Sequence, residues 1–65
     1  MTGNQFKKTR IKLGITQTRL ADILGYKSYQ TILRYEKRGE QNIPMNVAVS
    51  ITMLVDDKKK GVKNV

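Results

Sequence analysis

Between Thr16 and Gly39 the sequence TQTRLADILGYKSYQTILRYEKRG holds two short amphipathic patterns separated by only a few turn residues. In the first, Leu20, Ala21 and Leu24 share one helical face with Ile23 at its border, Thr16 stands as an N-cap and Gly25 closes the run. In the second, Ile32 and Tyr35 lie three apart and face the core, with Ser28 as N-cap and Gly39 as terminator. Tyr29, Gln30, Leu33 and Arg34 are then left on the outer face. A helix of about eight residues does not persist alone in water, so packing must hold the pair together. Two helices joined by a three- or four-residue turn containing glycine make a helix-turn-helix. Ala21 supplies the small residue where the helices cross, and Gly25 tolerates the positive φ of the turn.

The flanks complete an all-α fold, a compact bundle of four short helices. Thr2 and Gln5 have the spacing of a capping box, and Phe6, Arg10 and Leu13 follow on one face, which predicts helix 1 over about 4–13, ended by Gly14. Helix 2 follows Thr16, and helix 3 spans about 28–38. After a loop from Gly39, Pro44 suits the first turn of helix 4, over about 44–55, whose stripe is Val47, Ala48, Ile51, Leu54 and Val55. The domain is read as 1–55. Residues 56–65, DDKKKGVKNV, lack periodicity and are expected to be a basic, frayed or flexible tail.

Composition narrows the chemistry. A chain of 65 residues buries only about 60% of the surface that its unfolded form exposes. It has no cysteine and no histidine, which removes disulfides, thiolate metal sites and the commonest general base. Asp56 and Asp57 are adjacent acids in the tail and do not make a catalytic pair. No enzyme activity, metal or cofactor is expected. Thirteen Lys and Arg against five Asp and Glu give a net charge of +8, which points to a polyanion as partner. No run approaches the roughly 18 apolar residues of a membrane span, no leader is evident, and no helix has the faces of a membrane-surface binder. The expected setting is cytoplasmic and the expected polyanion is double-stranded DNA.

Here the chain resembles the Xre/Cro-like, phage-repressor type of helix-turn-helix. The matching residues are Arg10-Ile-Lys-Leu-Gly14-Ile-Thr16-Gln17, Leu20-Ala21, Leu24-Gly25, Thr31-Ile32, Arg34-Tyr35-Glu36, Gly39 and Ile43-Pro44, over roughly residues 2–55. The turn after Gly25 is one residue longer than usual in that family, the loop before Pro44 is slightly extended, and the fifth helix of many phage repressors is absent. The resemblance implies a lambda-repressor-like fold and a transcriptional regulator, here a repressor, that reads the major groove with helix 3. Proteins of this fold also serve as antitoxin-like or anti-restriction control adaptors whose main partner is another protein, which is the alternative reading.

The major groove presents a distinct donor and acceptor pattern for each base pair. Arg34 suits guanine O6 and N7, and Gln30 suits adenine N6 and N7. Tyr29 can stack on sugar, touch a thymine methyl or donate to phosphate, and Ser28 is short enough for base or backbone. Thr31, Lys27, Arg19, Lys37 and Arg38 are candidate phosphate contacts, which set register without reading sequence. Gln17 stands at the start of helix 2, where free N–H groups and the positive dipole end favour phosphate, and the resemblance implies the same role. Leu33 is expected to pack under helix 4 rather than touch DNA. Arg10 falls on the apolar face of helix 1 and requires a carboxylate; the resemblance implies Glu36, as a structural ion pair. Lys58, Lys59 and Lys60 can add sequence-independent affinity. A homodimer on an inverted repeat is expected, with Ile51, Leu54 and Val55 of helix 4 as surplus apolar residues available for the contact.

Overall fold

In a computed structural model, which describes residues 1–61 and side chains through Lys58, the chain folds as four helices. They are α1 (Gly3–Leu13), α2 (Gln17–Leu24), α3 (Gln30–Glu36) and α4 (Met45–Gly61).

The first two helices begin and end on local signals. Thr2 Oγ1 accepts from Gln5 N at 3.2 Å while Thr2 N donates to Gln5 Oε1 at 2.9 Å, the reciprocal pair of a capping box. Thr16 Oγ1 accepts from Arg19 N at 3.0 Å at the head of α2. Gly25 ends α2 with φ 84°, a left-handed conformation that lets Tyr26 N turn back to Ala21 O at 2.8 Å.

Helix α3 differs from its expected span. It starts at Gln30 rather than at 28 and stops at Glu36 rather than at 38. Ser28 is not its N-cap: Tyr29 holds that position in a helical conformation without a side-chain cap bond, and Ser28 Oγ instead accepts from Gln30 N two residues on, at 3.2 Å. That local bond turns the chain into the helix without satisfying its later N–H groups. At the other end Lys37 remains right-handed, and a run of turns leads to Gly39 at φ 62°.

Helix α4 also differs. It does not end near residue 55 but continues to Gly61. Lys58 Nζ, three residues past the expected end, donates to Leu13 O at 3.2 Å and to Lys12 O at 3.4 Å. These are among the orphan carbonyls at the C-terminus of α1, where a cation is favourable. The part of the expected tail beyond Gly61, and the side chains of Lys59 and Lys60, lie outside the described residues.

One apolar cluster holds the helices: Phe6 from α1, Leu20 and Ala21 from α2, Ile32 from α3, Ile43 from the loop, and Val47 and Ile51 from α4. Helix α1 packs on both α3 and α4, and α2 packs on α3. Ile51, expected with Leu54 and Val55 to face a partner, is instead fully buried, because it drops onto the same core as Val47 one turn before it. Leu54 is half-buried against this core and Val55 is half-buried. Leu33 is half-buried but is not among the apolar residues packed on the cluster.

The N-terminal segment is pinned to the loop before α4. Gly3 N donates to Gln41 O at 3.0 Å, Asn4 N to Gly39 O at 2.9 Å, and Ile43 N to Met1 O at 2.9 Å. Gly3 is buried at this crossing: a Cβ there would lie 2.5 Å from Tyr35 O and 2.8 Å from Gly39 N. Only glycine allows so close an approach of α1 to the end of α3.

Candidate nucleic-acid interface

The underside of α3 is committed to the fold. Ile32 is buried in the core, and Tyr35 meets the Phe6 ring edge-on at 6.0 Å between centroids. Glu36 is the buried charged residue among the described residues, and both of its oxygens are engaged: Arg10 Nε donates to Oε2 at 2.6 Å and Gln17 Nε2 donates to Oε1 at 3.0 Å. Arg10 also donates through Nη1 to Ile15 O at 2.8 Å. One carboxylate therefore ties α1, α2 and α3 together. Such a short, charge-assisted contact suits a dry site, where an unpaired carboxylate would be costly.

The outer side of α3 is not committed. Gln30, Leu33, Arg34 and Lys37 recur at helical spacing and line one shallow depression. Gln30 and Arg34 are exposed, and among the described residues neither side chain has a hydrogen-bond partner. Leu33 thus stands on the outer face beside the residues expected to read bases, not beneath α4, because α3 meets α1 and α2 rather than lying along α4.

A second depression adjoins the start of α3. Arg19 and Asp22 of α2 line it together with Lys27, Ser28 and Tyr29 of the turn. All five are exposed. Arg19 Nη1 pairs with Asp22 Oδ2 at 3.2 Å in an ion pair open to water. Pairs of that kind contribute only about 0–1 kcal/mol, so Arg19 is readily released to another anion. Asp22 is the residue that sequence reasoning leaves out. Its signal was available, since it lies three residues after Arg19 on the same face.

The other candidates are placed as follows. Gln17 is half-buried and spends one amide N–H on Glu36, which leaves the second N–H of its NH2 group. Thr31 is half-buried at the first turn of α3, and Lys37 is exposed at its end. Arg38 is exposed but braced: Nη1 donates to Asn42 O at 2.9 Å, and the guanidinium lies 5.9 Å from the Tyr35 ring centroid. Behind them Tyr26 packs near Tyr35, and burial, followed by the neighbouring Tyr35 hydroxyl, raises its phenol above the ordinary value. No helix among the described residues is long and apolar enough to cross a membrane.

A short capped helix, a glycine turn and a second helix with a buried underside and a polar outer face define a helix-turn-helix DNA-binding domain. The Helix-turn-helix family model matches residues 6–52, from the first core residue to the turn of α4 after Ile51. The chain belongs to this family, of the Xre/Cro type, and with it to DNA binding and transcription regulation. No curated protein and no solved structure matches it significantly.

Proposed function

We propose that the chain is a sequence-specific repressor that binds an inverted-repeat operator as a homodimer, with α3 of each copy in a major groove. The observation that supports this reading is the division of α3 into two faces. Ile32 and Glu36 are locked beneath, and Gln30 and Arg34 stand outside without partners. Gln30 reads adenine and Arg34 reads guanine, each by a bidentate contact. Ser28 and Tyr29 reach the neighbouring base or its backbone. Leu33, between the two readers, supplies an apolar contact for a thymine methyl.

Phosphates are held on either side. Lys27 and Arg19 border the depression at the start of α3, and Lys37, Arg38 and Thr31 flank the helix itself. Gln17 donates its second N–H to a phosphate while the first keeps it aligned on Glu36. These contacts fix register and supply the salt-dependent share of affinity. A pair of copies on a palindrome reads two half-sites about one helical turn apart, which gives the discrimination that one α3 of seven residues lacks.

Selection of bound sequences from random duplexes, repeated at several salt concentrations, tests this reading. The expected result is a palindromic motif whose half-site contains adjacent guanine and adenine positions. A flat sequence preference with a steep salt slope would overturn it, since that is the behaviour of a binder that only neutralises phosphate.

A further inference from the structure

We propose that the outward side of α1 is a docking surface for a different protein, through an acidic amphipathic helix that carries aliphatic residues among its carboxylates. A depression of about 550 Å³ there is lined by Met1, Gln5, Lys8, Thr9, Ile11 and Lys12. Its uncharged polar groups are engaged within the helix. Thr9 Oγ1 donates to Gln5 O at 2.7 Å, and Gln5 Oε1 accepts from Thr2 N at 2.9 Å. The depression therefore offers a ligand the apolar surface of Ile11, 57% exposed, and of Met1, together with two ammonium groups.

Charge sets the class of occupant. No acid occurs in the sequence before Asp22, while Lys7, Lys8, Arg10, Lys12 and Arg19 fall in that stretch. Arg10 is paired with Glu36 and Arg19 with Asp22. Lys8 and Lys12 have no ion pair among the described residues. Lys58 adds its charge at the same end, with Nζ donating to Lys12 O at 3.4 Å. An ordinary protein surface intersperses both signs. This one lacks the negative sign and attracts a ligand that supplies it. A second copy of the chain, itself at +8, is repelled.

Position and apolar content separate that ligand from DNA. Helix α1 turns Gly3, Phe6 and Arg10 toward Tyr35 and Glu36 at the end of α3. Lys8 and Lys12 lie about 120–180° around the helix from those three residues. They point away from α3, so a duplex seated on its outer face leaves them uncovered. A phosphate backbone gains nothing from Ile11 or Met1, whereas an amphipathic helix with acids beside an aliphatic row uses both features. Lys8 and Lys12 stand one turn apart, about 6 Å along the axis. Two carboxylates one turn apart on the partner helix match them.

Size sets the strength. The surface is a single helix face, small against the roughly 20–30 residues a side of a stable interface, so the contact is transient. On a copy already bound to DNA the partner joins the complex rather than displacing it. That consequence rests on the DNA reading above; the docking surface itself does not.

The probe is a fluorescent synthetic helical peptide with glutamates one turn apart and leucines on the same face, beside a counterpart in which every glutamate is replaced by glutamine. Binding to the full chain is read by anisotropy at about 0.15 M salt, where weak long-range attraction is screened. The parent is expected to hold the acidic peptide at least about fivefold more tightly than its counterpart. Lys8→Gln with Lys12→Gln should weaken it at least about fivefold, as two exposed ion pairs allow. Ile11→Ser, which keeps every charge, should weaken it about threefold through lost apolar contact. Lys27→Gln with Lys37→Gln removes the same charge from the α3 side and should stay within about twofold. Equal losses from the two lysine pairs would show attraction by net charge alone and overturn the surface. Unchanged binding by Ile11→Ser would overturn the amphipathic partner. A random duplex that loses as much affinity as the peptide on Lys8→Gln with Lys12→Gln would assign the surface to nucleic acid and overturn the protein partner. The peptide readouts are taken without DNA, so failure of the parent to bind duplex would overturn the DNA reading alone.

Discussion

The two helices of the turn unit are held by different forces. Helix α2 carries its limits in its own residues: Thr16 caps its head and Gly25 closes its end. Helix α3 has neither device, since Tyr29 makes no cap bond and Lys37 stays right-handed. It is held from beneath, by Ile32 in the core and by Glu36 bonded to Arg10 and Gln17. The helix that displays the candidate reading face is thus aimed by tertiary contacts with α1 and α2. Its position depends on side chains beneath it rather than on those of its outer face.

Glu36→Ala breaks this arrangement most severely. It leaves the half-buried Arg10 guanidinium without its carboxylate, at a cost of up to about 3–5 kcal/mol. Urea unfolding should show most of the domain's stability gone; a loss below about 1 kcal/mol would mean that α3 is held by propensity after all. Gly3→Ala comes next. The new methyl would press on Tyr35 O and Gly39 N, so α1 must shift against the end of α3, for about 1–3 kcal/mol. Thermal melting reads the loss, and an unchanged midpoint would show that the junction is loose.

The caps sharpen the comparison. Thr16→Ala removes a true N-cap bond and should cost about 1 kcal/mol. Ser28→Ala removes only a local turn bond and should remain within about 0.5 kcal/mol of the parent. Equal losses would erase the distinction between the helices. The smallest effect is at Tyr26. Its raised pKa means the folded chain holds the phenolic proton more tightly than the unfolded chain does. The associated stability is present below the unfolded pKa, about 10, and is lost as pH rises through the folded value. Tyr26→Phe should flatten that alkaline decline in a series of melts, and an unaltered slope would show that Tyr26 does not contribute to it.

Much of the fold is legible before any coordinates. The capping box at Thr2 and Gln5, the Thr16 cap and the Gly25 stop are short-range devices, and α1 and α2 follow from them to within a residue. What is not legible depends on distant partners. Lys58 carries α4 past residue 55 by reaching carbonyls of Lys12 and Leu13, and no local pattern announces that. Gly3 reads as a spacer in the capping box until Tyr35 O is found against it. Ile51 looks surplus in the stripe of helix 4 but is needed to fill the core, while Met45, Val49 and Met53 form a second stripe on the opposite side. At the candidate site, the alternation of Ile32, Tyr35 and Glu36 with Gln30 and Arg34 is visible in sequence. The start of α3 is not, because Ser28 serves either a cap or a turn equally well.

Helix α3 has separable faces, one that packs on the fold and one offered to DNA in the proposed reading. Arg34→Ala tests this directly when unfolding free energy and binding to a panel of single-base operator variants are measured on the same protein. Stability should remain within about 0.5 kcal/mol of the parent, while operator affinity falls by about 1–3 kcal/mol with discrimination lost at one base position. A variant that unfolds more readily, or that weakens equally on every operator variant without relaxing any position, would contradict the claim.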